Sequence, residues 1–418
     1  MHVSDNLNTI ISPLQQKESA EIILKINTLN INAYDIRNKN LQESLATAEE
    51  ALKLSKQFSY PVGQAFALNN IGFIKNSLSE FESALTYFNE AYSLFMLANH
   101  ETGLGAVYYN FGMLFVRLGE YSKALDFLLK SLAIREKTND NRGIYNALFQ
   151  ISYIHHQFKE YDIALGLLNR SLNICRDLND KVGIAAQLML IGMVCSDNGE
   201  SEKALSSLTE CLELRKSFSD DRGYGTALLI IGEYYLKNND YVKAFGYFEE
   251  GLGVAKKVQD KTAQIRFYTS IAKLHFLTNE FALAKSQLEN SAALALSNNV
   301  NSLLPPIYSL LAELNEKENN FKEALTNYKK YEEYKALVFT SEAKLKIKHD
   351  EVIKKMEAAN MQAEINRLKN VELKTAYEEI EFKNKEILDS ITYAKRIQVA
   401  LITNEKYIEK SLNRLNRP

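Results

Sequence analysis

The residues of this 418-residue chain best suited to chemistry are six histidines and three cysteines. A metal centre or a nucleophile needs such residues to converge at a characteristic spacing. Cys175, Cys195 and Cys211 form no CxxC pair, and an odd, sparse set suits free thiols in a reducing compartment. His155 and His275 recur at a position that elsewhere holds Phe115, Cys195 and Tyr235, so packing accounts for them better than ligation. The neighbouring carboxylates Glu332-Glu333 and Glu378-Glu379 could serve acid–base work, but they sit on charged helical faces. Gly251-x-Gly253 lies in a helical segment and lacks the lysine of a phosphate loop. These residues predict no catalytic group, no metal and no cofactor. The remaining chemistry is recognition. Asn69, Asn70 and Phe73 align with Tyr109, Asn110 and Met113, then with Phe149, Gln150 and Tyr153, then with Met189 and Met193. Carboxamides offer a donor and an acceptor to a peptide backbone. Aromatic and methionine side chains beside them grip apolar groups. The competing reading is that about half of these residues pack the neighbouring unit.

Those side chains must be positioned by a repeated element, and the repeat is explicit. Stepping by 40 residues, Ala84, Ala124, Ala164, Ala204, Ala244, Ala284 and Ala324 are all alanine. Three residues before each stands Phe81, Tyr121, Tyr161, Ser201, Tyr241, Phe281 or Phe321. A second small column reads Gly72, Gly112, Ser152, Gly192, Gly232, Ala272, Ala312, and a third begins Gly63, Gly103, Gly143, Gly183, Gly223. Small residues on facing helices permit close approach. Asp140, Asp180, Asp220 and Asp260 stand where helix N-caps belong. Each unit therefore reads as two antiparallel helices.

This pattern resembles the tetratricopeptide (TPR) repeat family over roughly Pro61 to Tyr334. The family's usual period is 34 residues, and the extra six imply longer helices, as in the long-repeat subclass of bacterial signalling regulators and kinesin light chains. The resemblance implies an all-α superhelical solenoid of about seven to eight helix pairs whose first helices line a concave groove. We divide the chain into a degenerate capping pair at 1–60, seven units at 61–340, a coiled-coil signalling helix at 341–403 and a basic tail at 404–418. Ser44 replaces the alanine in the capping pair. Toward the end of the groove Glu233, Lys273 and Glu313 bring charge.

From Ala343 to about Leu401 there is neither proline nor glycine. Ile380, Asn384, Ile387, Ile391, Ala394, Gln398 and Leu401 alternate by four and three, which is a heptad seam. Val352, Met356, Ala359 and Ala363 form an earlier seam in another register, so a discontinuity is expected near Ile365–Leu368. A lone helix of about 80 residues would be marginal in water. The expected partner is a second copy, held through Ile380, Ile387, Ile391, Ala394 and Leu401. The run Ser390-Ile391-x-Tyr393-Ala394-x-Arg396-Ile397-Gln398 resembles the helix that precedes SpoIIE-like PPM-type serine/threonine phosphatase domains in bacterial TPR proteins. That family binds its metals through aspartates, one in a Gly-Asp motif, and this chain contains no Gly-Asp pair.

A net charge of −2 gives no pull toward nucleic acid or an anionic membrane. No run of about 18 apolar residues appears, and the first residues do not read as a signal peptide, so a cytoplasmic protein is expected. The expected function is that of a sensor or adaptor in bacterial intracellular signalling. It would bind a protein or peptide in the groove and relay the event through a dimeric coiled coil. A passive scaffold and the regulatory half of a PPM-type phosphatase are the alternatives.

Overall fold

The computed structural model describes residues 13–37 and 40–415, with side chains described from Ala20 onward except for stretches between 339 and 374 and at 400–404. All regular elements among these residues are helical. A first pair, α1 (Pro13–Ile36) and α2 (Leu41–Gln57), precedes α3 (Pro61–Ser77), α4 (Phe81–Leu97), α5 (Glu101–Arg117) and α6 (Tyr121–Lys137). There follow α7 (Asn141–Gln157), α8 (Tyr161–Asp177), α9 (Lys181–Asp197), α10 (Ser201–Ser217), α11 (Asp221–Lys237) and α12 (Tyr241–Lys257). The series closes with α13 (Lys261–Leu277), α14 (Phe281–Ser297), α15 (Leu304–Lys317) and α16 (Phe321–Leu415). The chain forms two compact units, Met1–Val352 and Ile353–Pro418.

Every helix from α3 to α14 spans 17 residues, about 25 Å. Both helices of a unit thus share the extra length. Each ends in a left-handed residue, and these fall every 20 positions: Ser79, Asn99, Gly119, Asn139, Lys159, Asn179, Gly199 and onward to Asn319. Asparagine is the commonest residue there because it tolerates positive φ. Around each, the next residue's N–H reaches back across the turn, as from Glu80 to Lys75 O at 2.9 Å and from Asp140 to Arg135 O at 2.9 Å.

The aspartates cap as their spacing predicts. Asp140, Asp180, Asp220 and Asp260 accept from the N–H three residues on, at 2.9–3.0 Å. Asp180 also accepts from the Tyr145 hydroxyl at 2.6 Å. Burial acts to raise its pKa. The Gly183 N–H, the Tyr145 hydroxyl and Arg142 outweigh burial and hold it below the ordinary aspartate value. A carboxyl depressed in the folded state stabilises above its unfolded pKa and loses that contribution as pH falls through the folded value. Asp180→Ala should therefore cost about 1–2 kcal/mol at neutral pH, and the difference from the parent should shrink toward the acid limit in urea titrations.

The small columns answer specific neighbours. A Cβ on Gly72 would lie 2.6 Å from Phe88, one on Gly112 2.6 Å from Leu128, and one on Gly192 2.5 Å from Leu208. The second helix thus sends a large side chain over each glycine, and the alanine column brings its own backbone near: Ala84 O would be 3.2 Å from that Cβ on Gly72. Another tie is a hydroxyl or thiol from the second helix to a first-helix carbonyl. Ser131 donates to Gly105 O, Ser171 to Tyr145 O, Cys211 to Ala185 O and Ser291 to Ile265 O, at 2.7–3.1 Å. In the opening pair Ser44 is buried and donates to Ala33 O at 2.7 Å.

In the second unit, Ile380, Ile387, Ile391 and the other large apolar residues whose side chains are described stand exposed. The helix runs on through 404–415, the region set apart above as a basic tail, and the heptad continues there as Ile408, Leu412 and Leu415, all exposed. The side chains of Leu401 and of the earlier seam at Val352, Met356, Ala359 and Ala363 lie outside the described residues.

Candidate ligand groove

The first helices of successive units, α3, α5, α7, α9, α11 and α13, meet one another directly, while second helices pack mainly on the first helices to either side. The first helices therefore form the inner layer and line the groove. Along it Phe73, Tyr109, Met113, Phe149, Gln150, Tyr153, Met189 and Met193 are half-buried, each with part of its surface open.

The asparagines behave differently. Asn69, Asn70 and Asn110 are only 4%, 5% and 3% exposed. Asn30 donates to Gly63 O at 3.0 Å, Asn70 to Asn30 O at 3.0 Å, and Asn110 to Asn69 Oδ1 at 2.9 Å. Their amides stitch α1, α3 and α5 to one another. The reason is spatial: a carboxamide on the flank of an inner helix finds the neighbouring unit before it finds solvent. Gln150, one unit further on, is half-buried, with part of its surface open.

The histidines also have local partners. His155 Nδ1 lies 2.5 Å from Glu160, and His275 Nδ1 lies 2.5 Å from Glu280, each across the turn that ends a first helix. His156 Nε2 meets Asp197 Oδ2 at 2.8 Å, and Lys237 meets Asp197 Oδ1 at 2.9 Å. Burial acts to raise the pKa of Asp197, but hydrogen bonds from Lys237 and His156 hold it below the ordinary value. Cys175, Cys195 and Cys211 are buried free thiols whose pKa burial raises, that of Cys175 to about 12, so they are poor nucleophiles. Among the described residues no cluster of three His, Cys, Asp or Glu could hold a metal ion. No helix among them is long and apolar enough to cross a membrane.

Two regions of the groove combine charge with apolar surface. Between α9 and α11 a cavity of about 220 Å³ is lined by Met193, Asp197, Leu208, Ile230, Glu233 and Lys237, among others. Desolvation raises the pKa of Glu233 against the pull of Arg266 and Lys273. At the other end the Arg37 guanidinium carbon lies 3.5 Å from the Tyr34 ring centroid and 4.3 Å from that of Phe73. Arg37 was missed by its sequence position, because it follows α1 outside the regular units.

The tetratricopeptide repeat model matches residues 63–137, 103–177 and 184–257, and the model for anaphase-promoting complex subunit 5 matches residues 229–318. No curated protein matches the chain in sequence. Among solved structures, a Rap protein complexed with Competence and Sporulation Factor is 16% identical, with a TM-score of 0.57 over 78% of this chain and 99% of that one. NprR in complex with its cognate peptide NprX is 19% identical, with a TM-score of 0.52 over 75% of this chain and 86% of that one. A signal transduction ATPase with a tetratricopeptide repeat sensor, from Pyrococcus horikoshii, is 16% identical, with a TM-score of 0.57 over 78% of this chain and 50% of that one. Identities this low speak to fold alone. With the 40-residue columns, the paired helices and these likenesses together, the fold is a tetratricopeptide-repeat solenoid.

Proposed function

We propose that the chain is a peptide-binding sensor or adaptor of bacterial intracellular signalling, acting in the cytoplasm by binding and performing no chemistry itself. The carrying observation is the half-open stripe of aromatic, methionine and glutamine side chains down the inner helices. Such a stripe suits an extended peptide, with large apolar surfaces for its side chains and Gln150 for its backbone. The Rap and NprR structures, crystallised with a signalling factor and a cognate peptide, support this ligand class. The long period favours the long-repeat subclass. The exposed seam through Ile380, Ile387, Ile391 and Ala394 supports pairing with a second copy, which would relay binding by a shift between two helix pairings. The likeness around Ser390–Gln398 favours a SpoIIE-like phosphatase as the output addressed.

Capture of randomised peptides by the full chain tests the groove. Peptides so selected should lose about 30-fold in affinity when Phe149 or Tyr153 becomes alanine, as for an aromatic anchor worth about 2 kcal/mol. Unchanged affinity in both variants would remove the stripe as the binding surface.

A further inference from the structure

Charge is distributed unevenly along the helix that carries the apolar seam. Residues 377–392 carry Glu378, Glu379, Glu381, Glu386 and Asp389 against Lys383 and Lys385, a net −3. Residues 393–408 carry Lys395, Arg396 and Lys406 against Glu405, a net +2. Each stretch is about 24 Å long. Paired helices lie about 8–10 Å apart, close to the screening length of about 8 Å at physiological salt. Each stretch therefore feels the charge of the one beside it. Two copies running parallel and in register set acidic against acidic and basic against basic. Two copies running antiparallel, centred between Thr392 and Tyr393, set acidic against basic along both stretches.

The seam points the same way. Its a positions include Tyr377, Ile391, Gln398 and Glu405, and its d positions include Ile380, Ile387, Ala394 and Ile408. All eight are exposed. In a parallel pair each meets its own copy, so Gln398 faces Gln398 and Glu405 faces Glu405. Two charged carboxylates withdrawn from water against each other are costly. Turned end for end, each a meets a d. About the same centre Ile391 meets Ala394, Gln398 meets Ile387, Glu405 meets Ile380 and Tyr377 meets Ile408. Glu405 then falls one turn from Lys383 of the other copy. Asn384 pulls the other way, because two asparagines at one a level suit a parallel dimer. That single amide pair stands against the paired Glu405 carboxylates and like charge along both stretches. We infer that two copies of this chain pair antiparallel through α16, centred between Thr392 and Tyr393. The inference rests on the pairing proposed above and adds its direction, so that the two chains enter the pair from opposite ends.

The test uses the full chain in two variants, Ile380→Cys and Glu405→Cys, each adding one thiol on the seam. The native thiols are buried, and the parent chain controls for them. Antiparallel pairing sets position 380 of one copy against 405 of the other and holds the two 380 positions about 37 Å apart. Mild oxidation of an equilibrated mixture should give disulfide-linked dimers that join the two variants, and either variant alone should give none above the parent. Cross-linking of each variant with itself overturns the direction and leaves a parallel pair. A parent that is dimeric by light scattering, with no cross-link in the mixture, also overturns it. A monomeric parent removes the pairing itself and the inference with it. Charge reversal gives a second readout. Lys395→Glu with Arg396→Glu changes residues 393–408 from a net +2 to a net −2, facing a net −3 in the antiparallel pair. The dissociation constant should rise about tenfold or more, and adding Glu378→Lys with Glu379→Lys should restore it. In a parallel pair −2 against −2 repels no more than +2 against +2, so an unchanged constant overturns the antiparallel assignment.

Discussion

Phe88→Ala is expected to lower stability by about 3–5 kcal/mol, at the upper end for a single core truncation. Phe88 is fully buried. It fills the space over Gly72 and stands edge-on to Phe111 of the next unit, with centroids 5.6 Å apart. Gly72 has no side chain with which to fill the void, and the helix backbones already approach closely there, so the cavity cannot collapse. The site also joins two units. In a solenoid, stability is close to a sum of unit and nearest-neighbour contributions, so the loss should be local. Hydrogen exchange should accelerate in α3 to α6 and stay unchanged in α13 to α15. Uniform acceleration along the array would show a single cooperative block instead. Phe88→Leu should cost much less, about 1–1.5 kcal/mol, because Leu128, Leu168 and Leu208 already fill the equivalent place in the following units.

Placing aspartate at both Ile387 and Ile391 should convert a dimeric chain to a monomer. The two isoleucines are 56% and 58% exposed in the single chain, as are the large apolar residues described beside them, Ile380, Leu388 and Tyr393. Burial of an isoleucine side chain is worth about 1.5–3 kcal/mol. Four per dimer make at least about 6 kcal/mol, or a factor on the order of 10⁴ in dissociation constant, before the repulsion of four carboxylates. Mass by light scattering reads the result directly, with a chain ending near Tyr334 as the comparison. A parent chain that is already monomeric would remove the coiled-coil relay and leave a binding scaffold. If the parent is dimeric, cysteines at Ile387 and Ile391 test the relay itself, since the cross-linking pattern should differ between ligand-free and ligand-bound protein.

Much of the architecture was legible because its causes are local. Seven alanines at a 40-residue step, small residues opposite them and aspartates before the first helices each report a contact inside one unit or a cap on one helix. Such contacts repeat whenever the residues repeat, so they can be read without knowing how units stack. The left-handed position at Asn99, Asn139 and Asn179, and the hydroxyl column at Ser131 and Ser171, were equally periodic and could have been found by the same stepping. The continuation of the seam to Ile408, Leu412 and Leu415 was likewise present in the spacing.

What sequence periodicity could not decide was direction between units. Asn70 and Asn110 share a column, yet the Asn70 amide reaches a backbone carbonyl, Asn30 O, while the Asn110 amide reaches a side chain, Asn69 Oδ1. Which way a polar side chain on an inner helix turns depends on the angle and distance to the next unit, quantities set by the sum of all side chains at that interface. Arg37 depends on this most of all. Its flanking rings, Tyr34 and Phe73, come from two successive units, so this stack exists only once those units are packed together. The sequence by itself determined a helical repeat with a groove-forming layer and an apolar seam, because period and residue size are properties of the chain. Which polar groups that layer leaves unanswered was decided by the tertiary structure, because hydrogen-bond partners are chosen by proximity in space.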